Sequence, residues 1–232
     1  MKNMNLRALL VTFASILLSA CGGGGGGDSG PTTSTESFPL KSAWANYVTR
    51  NISQPFTMTG TVSGVTVSGS GTITRGSLEA STFEGAPALR KVSTMTATLS
   101  GGGTTIPISL TTMDFVDSSY LPLGSSGSEY SVVTSPSTIP DMAKVGDTGI
   151  WYTETRYPNS LKVYSIGTNT VSYALEPETA NTARLRIIST TRDTVGATIG
   201  NSTLTLRIDA AGAITWISES AVTSDGVLNA YY

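Results

Sequence analysis

Apolar residues recur along this chain with two periods. Between Pro39 and Asn51, Leu40, Ala43, Trp44, Tyr47 and Val48 fall at i, i+3, i+4, i+7 and i+8, the spacing of one apolar face on a short helix. Pro39 suits the first turn, where its missing N–H leaves no helical bond unmade. From Phe56 onward the period drops to two, as in strands with one buried face. Phe56 and Met58, then Val65 and Val67, alternate with threonine and serine around a Ser63-Gly64 turn. Val92 to Leu99 and Thr104 to Phe115 flank Gly101-Gly102-Gly103, a glycine hairpin. Tyr130 to Val133 is expected to close this group. A second group is predicted at Gly149 to Tyr157, Leu161 to Ile166 after a Pro158-Asn159 turn, Val171 to Leu175, Arg184 to Thr191 and Ser202 to Ile208. An Asp209 to Gly212 turn then leads into Ala213 to Ser220. In that last pair Leu204, Leu206 and Ile208 share one face, as do Ile214, Trp216 and Ser218. The opposite faces, rich in Thr and Arg, meet water.

The two groups resemble each other. At an offset of 96 residues the segment Gln54 to Thr112 matches the later chain at 12 of 59 positions without a gap, including Gly71-Thr72-x-Thr74 on Gly167-Thr168-x-Thr170 and Leu89-Arg90 on Leu185-Arg186. Threonine-rich chains match themselves by chance, yet the ungapped run points to an internal duplication. The fold class expected is therefore all-β: antiparallel meanders in two similar halves, packed as a curved sheet or sandwich, with one short N-terminal helix. The halves are residues 38–134 and 149–232, joined by a linker at 135–148 that holds two prolines. A membrane-spanning barrel is not expected, because the predicted outward positions are Thr, Ser, Arg and Asp rather than an apolar band.

Ahead of this domain the chemistry changes. Lys2 and Arg7 precede an uncharged, mostly apolar run from Ala8 to Ala20, which as a helix is about 20 Å long and too short to span a bilayer core of roughly 30 Å. It reads as a signal peptide over residues 1–20. The ending Leu18-Ser19-Ala20-Cys21 resembles the lipobox of bacterial lipoproteins. That resemblance implies cleavage before Cys21, lipidation of its thiol and acylation of the new amine, with several acyl chains giving a stable anchor. Gly22 rather than Asp follows the cysteine, which in that class favours the outer membrane, facing the periplasm or the cell surface. The six glycines from Gly22 to Gly27, and the polar residues up to Glu36, cannot bury apolar surface. Residues 21–37 thus form a flexible tether, whose coil of about fifteen residues reaches roughly 20 Å.

Composition narrows the function by exclusion. Removing Lys2 and Arg7 from the 14 basic residues leaves 12 against 16 acidic ones, a net charge of −4. No basic run exists, so nucleic acid is not an expected partner. The chain has no histidine and one cysteine, which removes Ser-His-Asp and Cys-His catalysis, histidine-ligated zinc and disulfides. No Ser-x-x-Lys motif stands in a supporting context. Asp114/Asp117 and Glu176/Glu178 are the nearest carboxylate clusters and read as solvated loop residues, not as a metal or glycosidase pair. No enzyme, metal or cofactor is expected.

Aromatics concentrate in the second half. Trp151, Tyr152, Tyr157 and Tyr164 are candidates for a ligand groove, although core packing with ordinary cross-strand pairs is the favoured account of such residues. As consecutive strand residues, Trp151 and Tyr152 are expected to face opposite sides. Two functions follow. The first is a non-catalytic, outer-membrane-anchored module that binds or supports another envelope component. The second is a carrier that encloses an apolar ligand, a lipid or lipoprotein, between the sheet and the Leu40–Val48 helix.

Overall fold

The computed structural model of the protein describes residues 34–135 and 139–232. Cys21, the signal segment and the glycine run lie outside the described residues, as do positions 136–138 of the linker. A short pair, β1 (Ser37–Phe38) with β8 (Ala143–Lys144), and one helix, α1 (Leu40–Thr49), accompany twelve longer strands. These are β2 (Ile52–Val62), β3 (Val65–Phe83), β4 (Ala86–Gly101), β5 (Thr104–Val116), β6 (Pro122–Ser126), β7 (Tyr130–Ser135), β9 (Thr148–Tyr157), β10 (Gly167–Pro177), β11 (Thr182–Arg192), β12 (Thr198–Asp209), β13 (Ile214–Thr223) and β14 (Gly226–Tyr231).

The twelve form one closed antiparallel barrel, and not the expected curved sheet or sandwich. Ten of its neighbour pairs are consecutive hairpins. Two are not: β7 lies against β9, and β14 lies against β2 with Leu228 opposite Gly60 and Ala230 opposite Met58. That last pairing removes both free edges at once. Inward-facing glycines let the wall curve tightly enough to close. A Cβ on Gly60 would lie 2.0 Å from the Val227 carbonyl oxygen, and one on Gly69 would lie 2.1 Å from that of Thr98.

Most of the predicted strands are present, and the Ser63-Gly64 turn has both residues at positive φ. The expected strand at Leu161 to Ile166 is instead part of the β9–β10 loop. Asn159 Oδ1 accepts the Leu161 N–H at 3.0 Å, an Asx turn that diverts the chain, and Leu161 and Val163 are 78% and 82% exposed.

Helix α1 lies across one end of the barrel with the expected face down: Leu40, Ala43, Trp44, Tyr47 and Val48 are buried, whereas Lys41, Ser42, Asn46 and Thr49 are exposed. Three connections at that end hold it. Ser34 Oγ donates to the Ala180 carbonyl at 2.7 Å, Trp44 Nε1 to Tyr120 at 2.9 Å and Asn46 Nδ2 to Gly212 at 3.4 Å. Beneath the helix, one apolar cluster joins its buried face to Trp151, Val171, Leu185, Leu204 and Ile214. A second, farther along the barrel, is built on Phe56, Met58, Ile73, Met95 and Leu228. A third sits outside the wall, where the β3–β4 hairpin tip folds over β5–β7 and Phe83 stacks on Phe115 and Tyr130 at 4.5 and 5.5 Å. Outward positions such as Thr57, Thr59, Ser68, Ser70, Thr96 and Thr98 are polar and exposed.

Candidate functional site

Between the two interior clusters the inward positions turn polar. On β3, Ile73 belongs to one cluster and Leu78 packs against the other, and the buried Arg75 falls between them. On β4 the buried Lys91 and Ser93 lie between Leu89 and Met95, and on β5 Asp114 lies between Leu110 and Val116. Strand parity alone therefore carries three charges into the barrel.

Arg75, Lys91 and Asp114 line a cavity of about 80 Å³, walled by Trp44, Tyr47, Val48 and Val116 and by Tyr152 and Glu154 of β9. Arg75 is 4% exposed and Lys91 1%, whereas the Asp114 side chain is 35% exposed, so solvent reaches the cavity on its carboxylate side. The guanidinium lies 4.2 Å from the centre of the Tyr47 ring, and its Nη1 donates to the Tyr47 carbonyl at 3.3 Å. Its Nη2 stands 4.0 Å from Asp114 Oδ2, an ion pair too long for a hydrogen bond. Lys91 Nζ and Arg75 Nε are buried with no hydrogen-bond partner among the described residues.

The electrostatics follow from that geometry. Burial, and then the neighbouring Arg75 charge, push the Lys91 ammonium down to about 8, with Asp114 opposing. Burial raises Asp114 above the usual carboxylate range against the pull of Arg75 and Lys91. Tyr47 is pushed up to about 12, mainly by burial. Glu154, which also lines the cavity, is held in a satisfied network. Its carboxylate accepts from Ser131 Oγ at 2.7 Å and from Asn169 Nδ2 at 2.9 Å, and Ser189 Oγ donates to Asn169 Oδ1 at 2.5 Å. Burial raises Glu154 in spite of those bonds and of the Arg156 charge. Arg156 itself is gripped by Glu129 through bonds of 2.6 to 2.9 Å.

The four aromatics expected to form a groove are not brought together. Trp151 and Tyr152 do not face opposite sides: Val171 pairs with Tyr152 and Ser172 with Ile150, which leaves Trp151 as the extra residue of a β-bulge. Both side chains consequently turn inward, 1% and 8% exposed, and only Tyr152 reaches the cavity. Tyr157 packs against the outer cluster, and Tyr164 is 63% exposed in the β9–β10 loop. The carboxylate pairs also differ from expectation. Asp114 is a cavity residue, and Asp117 accepts the N–H groups of Ser119 and Leu121 in its own turn. Glu178 takes a two-pronged grip from Arg207, 2.8 Å on each oxygen, and Glu176 pairs with Arg186, so neither is simply solvated.

Arg75 and Lys91 are not among the residues expected from the sequence, although a signal for both exists. Arg75 shares its parity with Val67 and Ile73, and Lys91 with Met95 and Leu99, all buried. No known protein family, no curated protein and no solved structure matches this chain. Among the described residues no helix is long and apolar enough to cross a membrane, and no three carboxylates gather where one ion would bind.

Proposed function

We propose that the protein is a lipid-anchored, non-catalytic barrel of the outer membrane that binds or supports another component of the envelope. The observation that carries this reading is the chemistry of the barrel's outer face. Its exposed Thr and Ser positions, with the ion pairs Glu178–Arg207 and Glu79–Arg90, suit water and not lipid. Membrane attachment then falls to Cys21, with the glycine tether giving the barrel its reach.

The carrier reading receives less support. A lipid needs a continuous apolar pocket of several hundred Å³. Here α1, two apolar clusters and the polar belt between them leave an interior cavity of only about 80 Å³. The apolar hollow at the opposite end, beside Val67, Leu99 and Ile106, measures about 180 Å³, and the larger one of about 560 Å³ beside Pro55 and Tyr231 is open to solvent.

Replacing Cys21 with serine in the full chain tests the anchor. The expected result is loss of incorporated labelled palmitate and release of the protein from the membrane fraction, with the barrel still folded by circular dichroism. Retention of the variant in the outer membrane overturns the reading. Native mass spectrometry of the same variant addresses the carrier: a lipid-sized adduct would restore it over the module.

A further inference from the structure

The interior cavity holds two cations that the fold itself does not call for. The β3–β4 and β10–β11 hairpins share a register as far as Arg75: Thr74 pairs with Thr94 and Arg75 with Ser93, just as Thr170 pairs with Thr190 and Val171 with Ser189, after which a bulge shifts β3 while β4 runs on unbroken to Lys91. At the same offset Arg75 corresponds to Val171 and Lys91 to Ile187. Both of those are inward-facing, fully buried and apolar. The same wall in the same barrel is thus built with aliphatic side chains at these two places. A buried ammonium without a hydrogen bond is destabilising, so its presence beside a cavity needs a reason other than packing.

Unused donors supply one. Asp114 stands 4.0 Å from Arg75 Nη2 without a hydrogen bond, while Glu154, which also lines the cavity, is already bonded by Ser131 and Asn169. That leaves N–H groups on Lys91 Nζ and Arg75 Nε, both buried at the cavity, unused. One anionic acceptor bound between them would satisfy both. The walls beside it, Trp44, Val48 and Val116, are apolar. A water site needs about 10–15 Å³ on this measure, so about 80 Å³ admits a molecule of several heavy atoms.

From this geometry we propose that the cavity under α1 binds a small organic carboxylate, with Lys91 Nζ and Arg75 Nε donating to its oxygens and a short aliphatic tail against Trp44, Val48 and Val116. The site does not depend on the lipid anchor. Binding costs no covalent step and leaves the barrel closed.

The full chain, purified in detergent, is melted in acetate, propionate or butyrate against chloride and inorganic phosphate at equal ionic strength. A carboxylate at a hundredfold excess over its Kd should raise the melting temperature by about 5–10 °C, with phosphate giving much less. In Lys91→Met the rise should vanish, while the ligand-free variant melts at or above the wild-type temperature because an unpaired buried charge has gone. Calorimetric titration of butyrate into the wild type provides an independent measurement and should show saturable heat. The proposal is overturned by any of four results: no saturable heat up to tens of millimolar, an equal effect of phosphate, a rise that survives in Lys91→Met, or a ligand-free Lys91→Met that melts lower or does not fold. The last would make Lys91 a structural partner of Asp114.

Discussion

Glu219 on β13 is 1% exposed and accepts one hydrogen bond, from the Tyr232 hydroxyl at 2.9 Å, while its Oε1 has no partner among the described residues. Burial lifts its carboxyl from 4.5 to about 8, with the Tyr232 bond opposing. The sign of the consequence is set by which state holds the proton. Below pH 4.5 the folded and unfolded chains both hold it, and stability does not change with pH through this group. Between 4.5 and about 8 only the folded chain does, so stability falls as pH rises, by about 1.4 kcal/mol per unit. Above about 8 the loss is complete. Glu219→Gln should therefore flatten the pH dependence of urea unfolding across that window and gain most over wild type at its alkaline end. An unchanged slope in the variant would show that Glu219 is ionised in the folded barrel. Like Arg75 and Lys91, Glu219 lies on an inward strand position. Strand parity marks the first two, but a β-bulge after Trp216 sets Glu219 opposite Leu204 and turns it inward, against the expected alternation of Ile214, Trp216 and Ser218. That charges belong on the wet face holds for a half-buried sheet but not for a barrel with a polar belt inside it.

At the scale of elements, α1 was the most readable part of the chain. Its five spaced apolar residues are the five that are buried, because a 3.6-residue period cannot be satisfied by any other regular structure. Trp44 is its main fastening: edge-on to Trp151 at 5.1 Å, stacked on Tyr47 at 5.4 Å and bonded to Tyr120. Trp44→Ala is expected to cost about 3–5 kcal/mol in urea unfolding. Trp44→Phe, which keeps a ring but loses the hydrogen bond, should cost about 1–3 kcal/mol. Equal costs for the two would place the helix's hold in that single bond. Strand positions were readable wherever alternation was regular, and failed where backbone geometry departed from it. The bulge at Trp151 reversed one facing, and the Asx turn at Asn159 removed one strand. Neither is encoded in a hydrophobic pattern. The β3–β4 register recurs in β10–β11 only around Thr74 and Arg75: Leu78 pairs with Lys91 whereas Tyr173 pairs with Ile187, and Thr59 pairs with Ser68 whereas Thr155 pairs with Thr168.

For the whole molecule, most of the strands were visible in the sequence but their union in one barrel was not. Long-range pairing decides between an open sheet, a sandwich and a barrel, and nothing local in β14 announces β2 as its neighbour. The seam can be tested by substitution. Leu228 is fully buried on the inner face of β14, and Val227 beside it faces outward, half-buried. Leu228→Asp places an unpaired charge in the apolar core, a penalty of several kcal/mol. It should free the seam and give aggregates that bind thioflavin T, whereas Val227→Asp should remain folded and monodisperse by light scattering. A monodisperse, folded Leu228→Asp would mean that closure does not depend on this strand.

The seam between β14 and β2 has a consequence in time. Synthesis delivers Ile52–Val62 long before Gly226–Tyr231, so the nascent chain carries a bare strand edge for as long as the rest takes to arrive. During that interval, any neighbouring copy at the same stage offers an equally good edge to pair with. Folding of this protein is therefore a race between intramolecular closure and trading partners. Slow delivery or a high density of unfinished chains would tip it toward polymer, and a holdase that covers β2 until the last strand appears would tip it back.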